Sequence, residues 1–235
     1  MVEWEPMRAI VMSYSGGSES YDGATNTAIQ IGANAATVAE VWYLVNSQSA
    51  ANLLTQGLQN AGLSASMINQ KVKFLLQPLD SIWFIDSGPL PLVRTTDNTM
   101  AFADFRYYWN RPYDDGIPTW LGRMLPQLGY DAPADTYRMP LNTEGGTFMT
   151  TSDGICFTGT RQLYNQSCEN GGQCNTKLDD WPFATGGAKT QQQYVEALEA
   201  IQNSPEAQEI KEVWAEYAGC KDVIITNSII TNSSS

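Results

Sequence analysis

The sequence predicts an α/β fold, assembled from about three repeats of a strand or hairpin, a helix and a further strand. Three observations point there. Short β-branched and aromatic runs alternate along the whole chain with longer segments of helical period. The repeats begin near Arg8, Ser81 and Thr147, a spacing of roughly 70 residues that suits structural repetition. At 235 residues, 43% of them hydrophobic and 11% aromatic, the chain is long and apolar enough to bury a substantial core. A doubly wound parallel sheet is the alternative within the same class, and the paired strands expected at the start of the second and third repeats argue against it.

Each element has its own signal. Arg8 to Tyr14 reads as the first strand, followed by a Gly/Ser-rich loop from Ser15 to Gly23. The segment TNTAIQIGANAATVAE reads as a helix with small residues on one face, and Val41 to Val45 (VWYLV) as a buried strand. The next helix, SQSAANLLTQGLQNAG, opens on a serine cap and stops at Gly62. Strands are predicted near Lys73 to Leu76, Ser81 to Ile85 and Met100 to Arg106. A helix with an internal proline follows from Asp115 to Gly129, then a strand from Tyr137 to Leu141. The segment TFMTTSDGICFTG reads as a hairpin. Beyond a polar loop lie two helical stretches, around Gln191 to Ile201 and Pro205 to Ala218, and a strand, DVIIT. The chain then reads NSIITNSSS, in which IITNS occurs twice in tandem.

Charge and composition narrow the function. Thirteen basic against twenty-five acidic residues give a net charge of -12, which repels a phosphate backbone and attracts small cations, so nucleic acid is not an expected partner. There is no histidine, which removes the commonest general acid/base and the commonest metal ligand. No run of eighteen apolar residues suggests a membrane span. The four cysteines are Cys156, Cys168, Cys174 and Cys220; only CENGGQC is closely spaced, and its Gly-Gly pair would let Cys168 and Cys174 close a small disulfide loop in an oxidising compartment. No metal or other cofactor is expected, because a second close Cys or His pair is absent. Few lysines, and acceptor sequons at Asn165 and Asn232, lean towards an extracellular or periplasmic protein.

Two carboxylates stand out. In SIWFIDSGPL, Asp86 follows an apolar run and precedes turn formers; it is either an Asx-turn residue or a carboxylate held at a strand end opposite a cation. Glu144 precedes Gly145 and Gly146, as a solvated residue in a glycine-rich hairpin turn or as a ligand group whose glycines permit close approach. Two such carboxylates could bind a planar guanidinium bidentately, or serve as the acid and base of a glycosidase. Seven tryptophans keep a carbohydrate-binding reading open. Trp4 in Val2-Glu-Trp-Glu-Pro6, and Trp109 and Arg111 in the aromatic, arginine-bearing segment Asp104 to Asp115, form either core edges or a pocket for a cation or substrate carboxylate. Cys156, within Ile-Cys-Phe, reads as an inert core thiol. Cys220, beside Lys221, has no histidine to activate it.

Taken in order, EWEP at Glu3 to Pro6, W-x-x-D-x-G-P at Trp83 to Pro89, DFRYYWNRPYDD at Asp104 to Asp115 and EGG at Glu144 to Gly146 resemble the agmatine deiminase and Porphyromonas-type peptidyl-arginine deiminase family. The likeness runs from about Val2 to Leu163 and returns weakly from Pro205 to Thr226. It implies a partial pentein-type α/β propeller of ββαβ-like repeats, with residues 1–226 forming the N-terminal part of the domain and 227–235 a low-complexity tail. It also implies hydrolysis of a guanidinium to a ureido group with release of ammonia, on agmatine or peptidyl-arginine. In the family a cysteine thiolate attacks the central carbon, a histidine moves protons and two acidic residues hold the guanidinium nitrogens. The resemblance assigns those acidic roles to Asp86 and Glu144, places Trp4 near the substrate entrance and puts Arg111 where a substrate carboxylate is contacted, with Trp109 at a second such position. The family's histidine should follow DVIIT and its cysteine should come much later, whereas this sequence reads NSIITNSSS. Ile85 replaces the arginine usual before the motif aspartate. The chain is thus expected to be a truncated member that keeps part of the guanidinium clamp and lacks the groups that hydrolyse.

Overall fold

A computed structural model describes residues 7–16, 24–133, 135–160, 162–163 and 190–226. Within these the chain divides into two compact units. One runs up to Ser87 and includes Arg111–Asp114; the other comprises Gly88–Asn110 and the chain from Asp115 onward.

The first unit is built on a three-stranded parallel sheet in the order β1 (Ala9–Tyr14), β2 (Glu40–Val45), β3 (Val72–Leu76). The central strand carries the apolar run EVWYLV, whose Val41, Tyr43, Leu44 and Val45 are fully buried, as expected of a parallel strand covered on both faces. Helices α1 (Ala24–Ala35), α2 (Gln48–Asn60) and α3 (Ala65–Lys71) supply Ala33, Leu54, Leu58 and Ile68 to the same core. Ser47 and Ser64 cap α2 and α3, accepting from the Ala50 and Met67 amides at 3.2 and 3.1 Å. A side chain on Gly32 would meet the Tyr43 hydroxyl at 1.8 Å. Glycine there lets α1 approach closely enough for Tyr43 to donate to the Ala28 carbonyl at 2.8 Å.

The second unit holds two mixed sheets. In one, β4 (Leu90–Val93) pairs antiparallel with β5 (Met100–Arg106), which pairs parallel with β6 (Thr136–Asn142). In the other, β7 (Phe148–Thr150) pairs antiparallel with β8 (Ile155–Gly159), which pairs parallel with β9 (Asp222–Thr226). Helices α5 (Pro112–Asp115) and α6 (Ile117–Met124) lie between β5 and β6 in the chain; α5 straddles the unit boundary. Helices α7 (Gln191–Gln202) and α8 (Pro205–Ala218) precede β9. Ala103, Phe105, Met139 and Leu141 from one sheet share a core with Val223 and Ile225 from the other and with Ile201, Ile210 and Trp214. Trp214 stacks on Phe148 with ring centroids 4.1 Å apart and donates from Nε1 to Gln162 Oε1 at 2.9 Å.

The observed strands bear out those expected at Arg8, Val41, Lys73, Met100 and Tyr137, the TFMTTSDGICFTG hairpin and DVIIT. The helices at Gln191 and Pro205 also stand. Three expectations are corrected. The Ser81 to Ile85 segment is not a strand: it enters a helical turn, α4 (Phe84–Ser87), because its leading amides are taken by side-chain oxygens rather than by a neighbouring strand. The hairpin of the second repeat is therefore β4–β5, beginning at Leu90. Cys156 is not an inert thiol: it is joined to Cys220 in a disulfide between β8 and the segment linking α8 to β9. Both cysteines are buried, and the bond closes a separation of 64 residues. The Cys168–Cys174 pairing, the expected entrance residue Trp4 and the 227–235 tail lie outside the described residues.

Candidate functional site

Asp86 sits in α4, which packs against β1 in the first unit. The turn is defined by one carbonyl: Trp83 O accepts from the amides of Asp86 and Ser87 at 3.1 and 3.3 Å and from Ser87 Oγ at 3.2 Å. Asp86 is half-buried, at a helical turn rather than at the strand end expected from its apolar run.

The turn is anchored from below by two aspartates that sequence reasoning did not single out. Asp114 Oδ1 accepts from the amides of Asp80 and Ser81 at 2.9 and 3.3 Å, while its Oδ2 accepts from Ser81 Oγ at 2.6 Å. Asp80 Oδ2 reciprocates, accepting from the amides of Tyr113 and Asp114 at 2.7 and 3.3 Å. Each carboxylate thus satisfies the backbone of the other's segment, and Asp114, 1% exposed, is almost completely enclosed. Burial pushes its carboxyl above the usual range, against the hydrogen bonds from Ser81 and the backbone that favour the charged form. The two partners lie 34 residues apart, so no local pattern could pair them; the Asp-Asp of PYDD was the only sequence signal.

The second unit holds a comparable clamp. Arg138, on β6, donates to Asp104 Oδ1 at 2.6 Å and to Asp115 Oδ2 at 2.7 Å. Asp115 Oδ1 also accepts from the Tyr107 amide at 2.6 Å, and Thr119 Oγ1 donates to Asp104 Oδ2 at 3.2 Å. Asp104 is buried, and that burial raises its pKa despite the opposing charge and hydrogen bond of Arg138. Burial disfavours the charge on Arg138, but hydrogen bonds and charge from Asp115 and Asp104 outweigh it and its pKa is raised. Arg138 therefore ties together both ends of the DFRYYWNRPYDD segment, which carries Trp109 and Arg111. Trp109 is 62% exposed, with its ring presented to solvent. Arg111 is half-buried and belongs to the first unit.

Glu144 is half-buried and lies in the second unit, at the start of a 3-10 turn, Gly145–Thr147. Its carbonyl accepts from the Thr147 amide at 3.0 Å and from Thr147 Oγ1 at 2.7 Å. The turn joins β6 to β7, strands of different sheets, so it is a crossover, which removes the hairpin-turn alternative for Glu144. Among the described residues, no group of three or more His, Cys, Asp or Glu is arranged to hold a metal.

The model of the Porphyromonas-type peptidyl-arginine deiminase family matches residues 1–180. The chain belongs to this family. The match spans Asp86, Arg111 and Glu144. Among solved structures, the agmatine deiminase of C. jejuni resembles the chain with a TM-score of 0.61 at 13% identity, covering 96% of this chain and 54% of that one. An Enterococcus faecalis agmatine deiminase gives 0.61 at 15%, covering 97% and 52%. At such identities the likeness establishes the α/β fold of these deiminases. The chain spans about half the length of the structures it matches. No curated protein matches it.

Proposed function

We propose that this deiminase-family chain, in its 235-residue form, binds a small cationic guanidine compound or an arginyl peptide and does not hydrolyse it. Family membership over residues 1–180 supports the binding half, since that region contains both candidate carboxylates. Asp86 and Glu144 are each assigned a guanidinium-contacting role, in which a carboxylate accepts two parallel N–H bonds from the planar cation. Trp4, Trp109 and Arg111 are assigned to the substrate's remaining groups. Hydrolysis would need a thiolate to attack the guanidinium carbon, a proton donor for the departing ammonia and a base for the incoming water. The sequence contains no histidine, and two of its four cysteines, Cys156 and Cys220, are joined in a disulfide. The family match over residues 1–180, with Asp86, Arg111 and Glu144 inside it, is the observation that carries this reading.

The three sheets are read as three repeats of a pentein-type propeller, within a single domain over residues 1–226. The buried Cys156–Cys220 bond supports maturation in an oxidising compartment. Calorimetry with agmatine, arginine and an arginyl peptide tests the binding. Saturable heat with at least one ligand, lost in Asp86→Ala and weakened in Glu144→Ala, is the expected outcome; absence of heat with all three removes the proposal.

A further inference from the structure

The hydrogen bonds around Asp114 form a directed chain. The Ser81 hydroxyl donates to Asp114 Oδ2 at 2.6 Å, the Ser81 oxygen in turn accepts from the Trp83 amide at 3.3 Å, and the Trp83 carbonyl accepts from the amides of Asp86 and Ser87. Each bond restrains the backbone group it reaches. Ser81 and Asp114 are both 1% exposed, so water has little access to replace either partner. The reciprocal bonds from Asp80 hold the Asp114 end in place.

We propose that Asp114 is a positioning residue for Asp86, acting through Ser81 and Trp83 to set the turn from which the Asp86 carboxylate is presented. The proposal rests on the reading of Asp86 as a guanidinium-binding group, and adds to it the device that orients that group. A charged carboxylate is suited to the task because it accepts all three bonds at once: two backbone amides on one oxygen and a hydroxyl on the other. An amide could keep the backbone bonds through its oxygen, but its NH₂ cannot accept from Ser81.

Two variants test this on the full chain. Ser81→Ala removes the middle link alone, and Asp114→Asn removes the acceptor while keeping size and shape. In both, hydrogen exchange at the Asp86 and Ser87 amides should accelerate about tenfold relative to the amides of Val41 to Val45, which report the sheet. Agmatine affinity should fall roughly three- to tenfold, the loss of one hydrogen bond's worth of order. Exchange at Asp86 and Ser87 that stays level with Val41 to Val45, whether both are unchanged or both rise together, would overturn the proposal and leave Asp114 a purely structural carboxylate. Should the unmodified chain bind no agmatine, the guanidinium reading falls, yet the exchange comparison still decides whether Asp114 sets the turn.

Discussion

At the residue scale, the balance between burial and charge pairing governs behaviour. Removing Arg138 would strand the Asp104 carboxylate, whose side chain is 4% exposed. Loss of one partner of a buried pair costs up to about 3–5 kcal/mol. Arg138 is itself 41% exposed, and Asp104 can take up a proton, so Arg138→Ala is expected to cost about 2–3 kcal/mol in urea unfolding. A loss below about 0.5 kcal/mol would show that the clamp is ornamental. Acid titration separates the carboxylates by cause. Asp104 and Asp114 should titrate above the ordinary value of about 3.9 because they are buried. Asp97 should titrate below it, held by the Arg94 guanidinium and the Thr99 hydroxyl. The signs differ. The folded chain binds protons at Asp104 and Asp114 more tightly than the unfolded chain, so these two groups add stability as pH falls through their folded midpoints. Asp97 contributes above its unfolded pKa and loses that contribution as pH drops. Carboxyl-carbon NMR measures all three, and midpoints clustered at the ordinary value would contradict this assignment.

At the scale of elements, tight helix packing and local capping do most of the shaping. Gly32→Ala gains about 1 kcal/mol of helix propensity. It also places a methyl group 1.8 Å from the Tyr43 hydroxyl, and overpacking of this kind costs about 1–3 kcal/mol. The second effect should win, with a net loss of up to about 2 kcal/mol in thermal or urea unfolding; a more stable variant would mean that Tyr43 swings aside at little cost. The caps at Ser47 and Ser204, and the left-handed Gly219 that ends α8, show why the helices were legible in the sequence: their signals are local. So were β2 and the β7–β8 hairpin, whose apolar runs and Asp-Gly turn carry their own instructions. The Ser81 to Ile85 segment has the same apolar look, yet it forms a turn because Asp114, 33 residues away, removes the Ser81 amide from any ladder. The helix expected over TNTAIQIGANAATVAE overshoots α1 for a different, local reason. Its last residues leave the helix at Ala35, where the Thr37 hydroxyl bonds back to the Asn34 carbonyl. The Cys156–Cys220 bond, like the Asp114 contact, joins distant residues, which the β8–β9 pairing brings together.

At the scale of the whole molecule, the Cys156–Cys220 disulfide ties together segments 64 residues apart. Closing a loop of this size restricts the unfolded state by about 4 kcal/mol in the chain-entropy account. Reduction should therefore lower the melting temperature by many degrees, as should Cys156→Ala paired with Cys220→Ala. An unchanged melting temperature under reductant that demonstrably opens the bond would contradict a stabilising role. The net charge of -12 suits a cationic ligand, and binding of agmatine should weaken as salt rises. Whether the chain holds a guanidinium without converting it is tested in one sample by NMR of agmatine labelled with carbon-13 at the guanidinium carbon. The expected result is saturable broadening or shift of that signal on adding the chain, abolished in Asp86→Ala, with no ureido carbon appearing over prolonged incubation. An unperturbed signal, or steady growth of a ureido resonance, would contradict it.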